Sequence, residues 1–217
     1  MKVVSLTLSR GGSKGVPRKN LALLNGKPLV YYVIRAAQLS NIGEVWISTE
    51  DSEIKKVSEG FGAKVIDRPA HMAQDTSKCE LSLLQFADNV DFDVLVYIQT
   101  TSPLVRPQDI NKGIEMVATG EYDSVFSVSR ETWIPRWNLD VTPDDWEPKN
   151  RPRRQSMPEK YIENGAFYIT TKKQLLESGL RYSGNIGVVE MPLSRSFQID
   201  TTQDFELIEN IMRGNIQ

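Results

Sequence analysis

The densest run of chemistry-bearing residues is Ser9–Asn20, Ser-Arg-Gly-Gly-Ser-Lys-Gly-Val-Pro-Arg-Lys-Asn, which holds three glycines and four cations directly after the apolar run Val3–Leu8. A glycine-rich loop at the exit of a first strand can turn several backbone N–H groups onto phosphate oxygens. Arg10 and Lys19 add a fixed cation at each end, a spacing that suits a triphosphate. Two known phosphate motifs do not fit. Gly11, Gly12 and Gly15 lack the spacing of the dinucleotide fingerprint, and Val16 follows Gly15 where a P-loop requires lysine. For the loop taken alone, a solvated turn rich in Gly and Lys is the plain alternative.

Such a loop needs a scaffold, and the pattern along the chain supplies one. Strand-like segments at Lys2–Leu8, Glu44–Ser48, Ala63–Ile66, Asp93–Ile98 and Asp123–Ser129 alternate with helix-like segments at Pro28–Leu39, Asp51–Phe61, Thr76–Val90 and from Pro107 to about Thr119. Alternation of this kind predicts an α/β fold with a mostly parallel sheet and helices on both faces. Ligands then sit beyond the carboxyl ends of the strands, near a topological switch point. Residues 130–160 break the pattern with three tryptophans (Trp133, Trp137, Trp146), five prolines and the basic run Lys149–Arg154. A stretch this long without a period is functional or disordered, and the tryptophans argue against disorder. It reads as an arm that packs on a second subunit. Strands resume at Gly165–Thr170 and Ile186–Met191, and Thr202–Met212 reads as a closing amphipathic helix. The 217 residues contain no internal repeat and no second-domain linker, so one domain over 1–217 is expected.

Composition narrows the chemistry. Lys and Arg total 26 against 28 Asp and Glu, a net charge of -2, which gives no global positive field for nucleic acid or an anionic membrane. Phosphate binding must therefore be local. One cysteine, Cys79, and one histidine, His71, are too few for an internal disulfide, a structural zinc site or a Cys/His nucleophile system. Any metal should be a hard cation on oxygen ligands. With no signal peptide and no long apolar span, a cytoplasmic protein is expected.

The glycine loop and six further landmarks together resemble the CMP-sialic acid synthetases (acylneuraminate cytidylyltransferases). The landmarks are Ile47–Asp51 (ISTED), Arg68–Ala70 with Asp75-Thr76, Gln99–Leu104 (QTTSPL), Arg151–Gln155 (RPRRQ), Asn164–Ile169 (NGAFYI) and Ile199–Thr201 (IDT), which run nearly end to end. The resemblance implies a three-layer, Rossmann-like nucleotidyltransferase fold. It also implies attack by the anomeric hydroxyl of a nine-carbon 2-keto sugar acid on the α-phosphorus of CTP, with release of pyrophosphate. Under that reading Arg10 and Lys19 hold the triphosphate, Gly11, Gly12 and Ser13 supply N–H and O–H donors, and Asn20 fixes the ribose or phosphates. Arg68 resembles the residue near the cytosine and ribose, and Gln99 the one facing the sugar acid. Arg154, Asn164 and Tyr168 would line the sugar pocket, and the arm would close it from the neighbouring subunit of a homodimer, with Arg151 or Arg154 acting in trans. Arg136, in Ile134-Pro-Arg-Trp137, stands in the region where the family often presents a lysine.

The sequence departs from the family at its metal motif. Many relatives carry Asp-x-Asp, two carboxylates on one face of a late strand, whereas this chain reads Phe197-Gln-Ile-Asp200. Magnesium is expected on Asp200 and CTP phosphate oxygens, with the neutral amide of Gln198 a weaker or water-mediated partner. Two other readings compete. A CMP-Kdo-type synthetase acting on an eight-carbon acid usually shows Gln-Gly-Asp-Glu-Pro where this chain has Gln99-Thr-Thr-Ser-Pro103. A non-catalytic nucleotide-binding protein could keep the fold while losing a metal ligand at Gln198. No residue stands out as a general base, and the identity of the sugar acid is left open.

Overall fold

A computed structural model describes residues 1–214 of the chain. The last three positions of the expected 1–217 domain lie outside the described residues.

Seven strands form one sheet, and every inner strand alternates its side chains between two apolar layers. The elements in chain order are β1 Val3–Leu8, a short hairpin of β2 Leu23–Leu24 and β3 Lys27–Pro28, α1 Leu29–Gln38, β4 Glu44–Thr49, α2 Ser52–Gly60 and β5 Lys64–Asp67. Next come α3 Cys79–Asn89, β6 Val94–Ile98, α4 Pro107–Ala118 and β7 Ser124–Glu131. The chain closes with β8 Arg136–Trp137, β9 Pro143–Asp144, β10 Lys160–Thr171, α5 Lys172–Ser178, β11 Ile186–Glu190 and α6 Thr202–Met212. The sheet order is β11-β7-β10-β6-β1-β4-β5, and β10 alone runs against its neighbours. The mostly parallel sheet covered on both faces is as expected from the alternating pattern.

Alternation in β6 shows how the layers arise. Val94, Val96 and Ile98 face α1 and α4, where Val33, Ala36, Ile110, Ile114 and Val117 complete one core. Leu95 and Tyr97 face the other way, onto Leu83, Phe86 and Ala87 of α3 and Leu175 of α5. The helix starts are encoded locally. Asp51 caps α2 by accepting from the N–H groups of Glu53 (3.0 Å) and Ile54 (2.9 Å). Pro107 opens α4 inside a capping box closed by Asp109, and Thr201 with Asp204 caps α6. Pro28 sits at the cap of α1 rather than within it.

Three features differ from the expected elements. α3 begins at Cys79 instead of Thr76, because residues 73–78 form a turn in which Ser77 donates its hydroxyl to the His71 carbonyl (2.8 Å). β10 is twelve residues long and carries an irregularity between Glu163 and Tyr168, so it starts well before the expected Gly165. α5 is an extra helix capped by Thr171, and only Leu175 of its seven residues is fully buried.

One consequence of the strand order fixes the site. β1 lies between β4, reached through α1 on one face, and β6, reached through α3 on the other. The carboxyl ends of β1 and β6 therefore diverge at a switch point, and the glycine loop leaves the sheet there.

Candidate nucleotide cleft

The loop after β1 is fastened at its root. Ser9 donates its N–H to the Ser48 carbonyl (2.9 Å), its hydroxyl meets that of Thr100 (3.0 Å), and both side chains are buried. Buried Asn20 returns from the far end of the loop and donates its amide to the Arg10 carbonyl (2.9 Å). Arg18, in the left-handed region at φ 52°, reaches across to Asp51 (2.7 Å) and Glu53 (2.6 Å) at the start of α2. Burial pushes the Asp51 carboxyl up, but the Ile54 N–H and the Arg18 guanidinium outweigh it and hold the group below the usual carboxylate range. The loop is thus tied to three elements and open towards one side.

That side is a cleft of about 400 Å³. One wall carries Arg10, Ser13, Lys14, Gly15, Lys19 and Asn20; the opposite wall carries Arg68, residues 72–75, Ser77, Cys79 and Ser82. The end of β6 forms the floor with Tyr97, Gln99, Thr100 and Thr101, and Asp200 stands at the rim. Gly15 is required by its closeness to Asp200. A Cβ there would lie 2.0 Å from the Asp200 carbonyl oxygen, so only glycine lets the loop pass.

Each cation in the mouth meets a carboxylate. Arg10 pairs with Asp75 (2.6 Å), as does Lys14 (2.5 Å). Lys19, largely buried, donates to the Ile199 carbonyl (2.7 Å) and to Asp200 (3.1 Å). Arg68 is 4% exposed and donates to Glu50 (3.0 Å), whose other oxygen accepts the Gly11 N–H (2.7 Å). Two buried polar atoms on the cleft wall have no partner, Arg68 Nε and Ser82 Oγ. Buried donors are rarely left unpaired in native proteins, and these two atoms, shielded from solvent, are satisfied only by an ordered water or a shift of their side chains. Burial pushes the Cys79 thiol up to about 12, which keeps it protonated and unreactive at neutral pH.

The structure brings together Arg10, Ser13, Lys19, Asn20, Arg68, Gln99 and Asp200 along this one cleft. Gly11 and Gly12 lie on the same loop but do not line the cavity. Gln198 sits behind Gln99, donating to its side-chain oxygen (3.2 Å) and to the Ser102 hydroxyl (3.3 Å). The segment around it is an extended link rather than a strand, fastened where Ile199 donates its N–H to the Thr101 carbonyl (2.9 Å). Among the described residues no group of three or more His, Cys, Asp or Glu side chains converges for a metal.

The other expected site residues lie elsewhere. Asn164 is buried at the irregularity of β10, where it donates to Ser196 (3.0 Å) and accepts from the Ala166 N–H (3.2 Å). Gly165 beside it has φ 66°, and a Cβ there would lie 2.3 Å from Gln198 Nε2. Tyr168 is buried in the second core, stacked between Tyr97 (5.8 Å) and Tyr182 (6.0 Å), and donates its hydroxyl to Glu163. It borders a second cavity of about 230 Å³ lined by Glu80, Glu163, Leu180, Arg181 and Tyr182. Tyr97 lines the main cleft, so the aromatic stack spans the wall between the two cavities. Arg154 is exposed on the arm and lines neither cavity. The arm holds itself together through edge-on contacts of Trp146 with Trp133 and Trp137 and a bond from the Trp146 indole to the Arg136 carbonyl (2.8 Å).

Glu50, Asp75 and Arg18 stand in the landmark segments, and Glu50 follows a strand that could bring it to a nucleotide, but their pairings in this mouth are not legible in the sequence. Their partners lie tens of residues away, so no local spacing announces them; the only signal is an excess of loop cations that some anion has to answer.

Comparison with known proteins places this geometry among relatives. A family model described as cytidylyltransferase matches residues 4–216. The chain is 39% identical over 216 residues to N-acylneuraminate cytidylyltransferase A of Danio rerio, covering 95% of this chain and 50% of that protein. It is 33% identical to CMP-N,N'-diacetyllegionaminic acid synthase of Legionella pneumophila, covering 99% of this chain and 98% of that one. The chain therefore spans about half the length of the first relative and nearly all of the second. A solved structure of CMP:2-keto-3-deoxy-manno-octonic acid synthetase complexed with CTP superposes with a TM-score of 0.74 over the full length of both chains at 19% identity, a likeness of fold alone.

Proposed function

The chain belongs to the cytidylyltransferase family, and from that premise we propose that it joins CTP to a nine-carbon 2-keto sugar acid, giving a CMP-sugar and pyrophosphate. The observation that carries this reading is the cation-lined cleft at the switch point, with the buried guanidinium of Arg68 held by Glu50 on its inner wall. Nucleotidyl transfer needs in-line positioning and neutralisation of developing charge more than it needs covalent catalysis.

Arg10 and Lys19 grip the triphosphate from the two ends of the glycine loop, and Ser13 with the loop N–H groups donates to its oxygens. Arg68, held by Glu50, stands on the side of the base or ribose. Asn20 acts through the loop, since its amide already fixes the Arg10 carbonyl. Gln99, at the end of β6, meets the sugar acid. Gly165 leaves room for the Gln198 amide that orients the Gln99 side chain. Asn164, Tyr168 and Arg154 belong to the sugar side, where the second cavity adjoins Tyr168 and the arm of a second subunit brings in Arg151 or Arg154.

Magnesium keeps several waters and binds through one or two carboxylates plus substrate phosphates, so one carboxylate at the rim suffices. Asp200, exposed at the rim and steadied by Lys19, would hold it with the nucleotide, and Gln198 would act through water. When bound, the ion would draw charge from the leaving pyrophosphate. The exposed Ile134, Trp137, Leu139 and Val141 of the arm support a homodimer built on residues 130–160.

The test is pyrophosphate release from CTP and Mg²⁺ across a panel of eight- and nine-carbon keto acids. Turnover is expected with a nine-carbon acid, and Arg10→Ala and Lys19→Ala should each lower kcat/KM by about 10²- to 10³-fold. CTP binding without turnover on any acid would favour a non-catalytic binding protein. Full activity in both variants would remove the phosphate cradle.

A further inference from the structure

The strap from Met72 to Ser77 covers one side of the cleft with little to hold it. Its backbone hydrogen bonds are short-range, from Met72 to Pro69, Ala73 to Ala70 and Ser77 to Gln74. Among the described residues, its polar ties to the glycine loop are the two ion pairs of Asp75, to Arg10 (2.6 Å) and to Lys14 (2.5 Å). The Asp75 carboxylate thus takes two cations of the loop at once, as a bidentate acceptor of single negative charge. A phosphate group presents the same oxygens with more charge.

We propose that Asp75 is a built-in anion that occupies the phosphate subsite between Arg10 and Lys14 in the free protein, so that a triphosphate must displace it to bind. The proposal rests on the cleft being the nucleotide site and adds how access to it is set. Both pairs are partly exposed, with Asp75 40% and Lys14 83% accessible, so each is worth little and can be exchanged for a stronger anion. Hydrogen bonding from Lys14 and then Arg10 holds the Asp75 carboxyl below its ordinary range, so it stays charged, and competes, throughout the neutral range. While the pairs last, Arg10 and Lys14 are kept in place and their charge is masked. Once they break, the strap loses its ties to the loop, and the cleft opens along that wall.

Titration calorimetry with two probes, CTP and inorganic tripolyphosphate, tests this on the full chain. Asp75→Asn and Asp75→Ser should each tighten both ligands by about 3- to 10-fold. Glu177→Gln removes the same charge from an exposed helix, α5, and should leave both affinities unchanged. The gain should shrink in an Arg10→Ala background, because half of the competition is already gone. Unchanged or weaker tripolyphosphate binding in both Asp75 variants would overturn the proposal, and so would an equal gain with and without Arg10, which would mean a field effect only. The tripolyphosphate arm decides Asp75 whatever the nucleotide specificity. Failure of the wild-type chain to bind CTP, with tripolyphosphate still bound, would overturn the nucleotide reading instead.

Discussion

The glycine-loop mouth and the 130–160 arm are both irregular, both rich in cations, and built on opposite principles. In the mouth the residues are referred back to the framework: Ser9 through its N–H to β4 and through its hydroxyl to Thr100, Arg18 to the cap of α2, Lys19 to the Ile199 carbonyl ahead of α6. In the arm past Glu131 the contacts are local, a two-strand hairpin and Trp146 set edge-on against both Trp133 and Trp137, while Leu139, Val141 and Trp137 stand in the open. Precision therefore follows from anchoring. A loop anchored on the sheet can hold its cations to a fraction of an ångström of their working positions, whereas a self-contained arm can only supply surface until something packs on it.

The largest effect on this contrast is expected at Gly15. Alanine there must push the loop off the Asp200 carbonyl, and a displacement near 1 Å at the rim should cost about 10²-fold in kcat/KM for pyrophosphate release. Thermal unfolding should move little, since no core contact is lost; wild-type activity in Gly15→Ala would show that the loop is not held to this precision.

A smaller effect is expected at the start of α6, which presents Asp200 to the mouth. Thr201→Ala removes the cap and should lower stability by about 1 kcal/mol in denaturant unfolding. The Thr201 hydroxyl, then the Thr201 and Asp200 N–H groups, hold the Asp204 carboxyl below its ordinary range. A depressed folded-state pKa contributes stability that is present above the unfolded value and is lost as pH falls through the folded one. The penalty of Thr201→Ala should therefore be full at pH 7 and fade on acidification below the ordinary carboxylate range. A penalty that grows with acid would contradict the assignment.

The smallest effect on the fold is expected in the arm. Trp137→Ala should change the unfolding free energy of a dilute monomer by less than about 0.5 kcal/mol, because the side chain is half exposed. Sedimentation should nevertheless show weaker self-association. Unchanged association would separate the arm from the dimer.

The same division between anchored and self-contained segments explains which features are legible in the sequence. Apolar patterning in β1 and β6 and the caps at Asp51, Pro107 and Thr201 are local signals, so the strand ends that carry Arg10 and Gln99 can be read from the chain alone. α5 escapes such a reading because seven residues with one fully buried leucine show no helical period. The irregularity in β10 that buries Asn164, and the placement of Tyr168 in an aromatic stack rather than at the mouth, depend on cross-strand neighbours that no window along the chain contains. Asp75 and Glu50 are invisible as partners for a related reason: an ion pair such as Arg10 with Asp75 joins residues far apart in the chain and leaves no spacing to read.

Whether the cations around the glycine loop receive the charged tail of a nucleotide is decided by a crystal structure of the protein with CTP. Triphosphate density is expected between Arg10 and Lys19, with the base directed towards Arg68 and Asp200 beside the phosphates. Density for CTP outside this cleft, with those side chains paired as in the free protein, would contradict the nucleotide assignment.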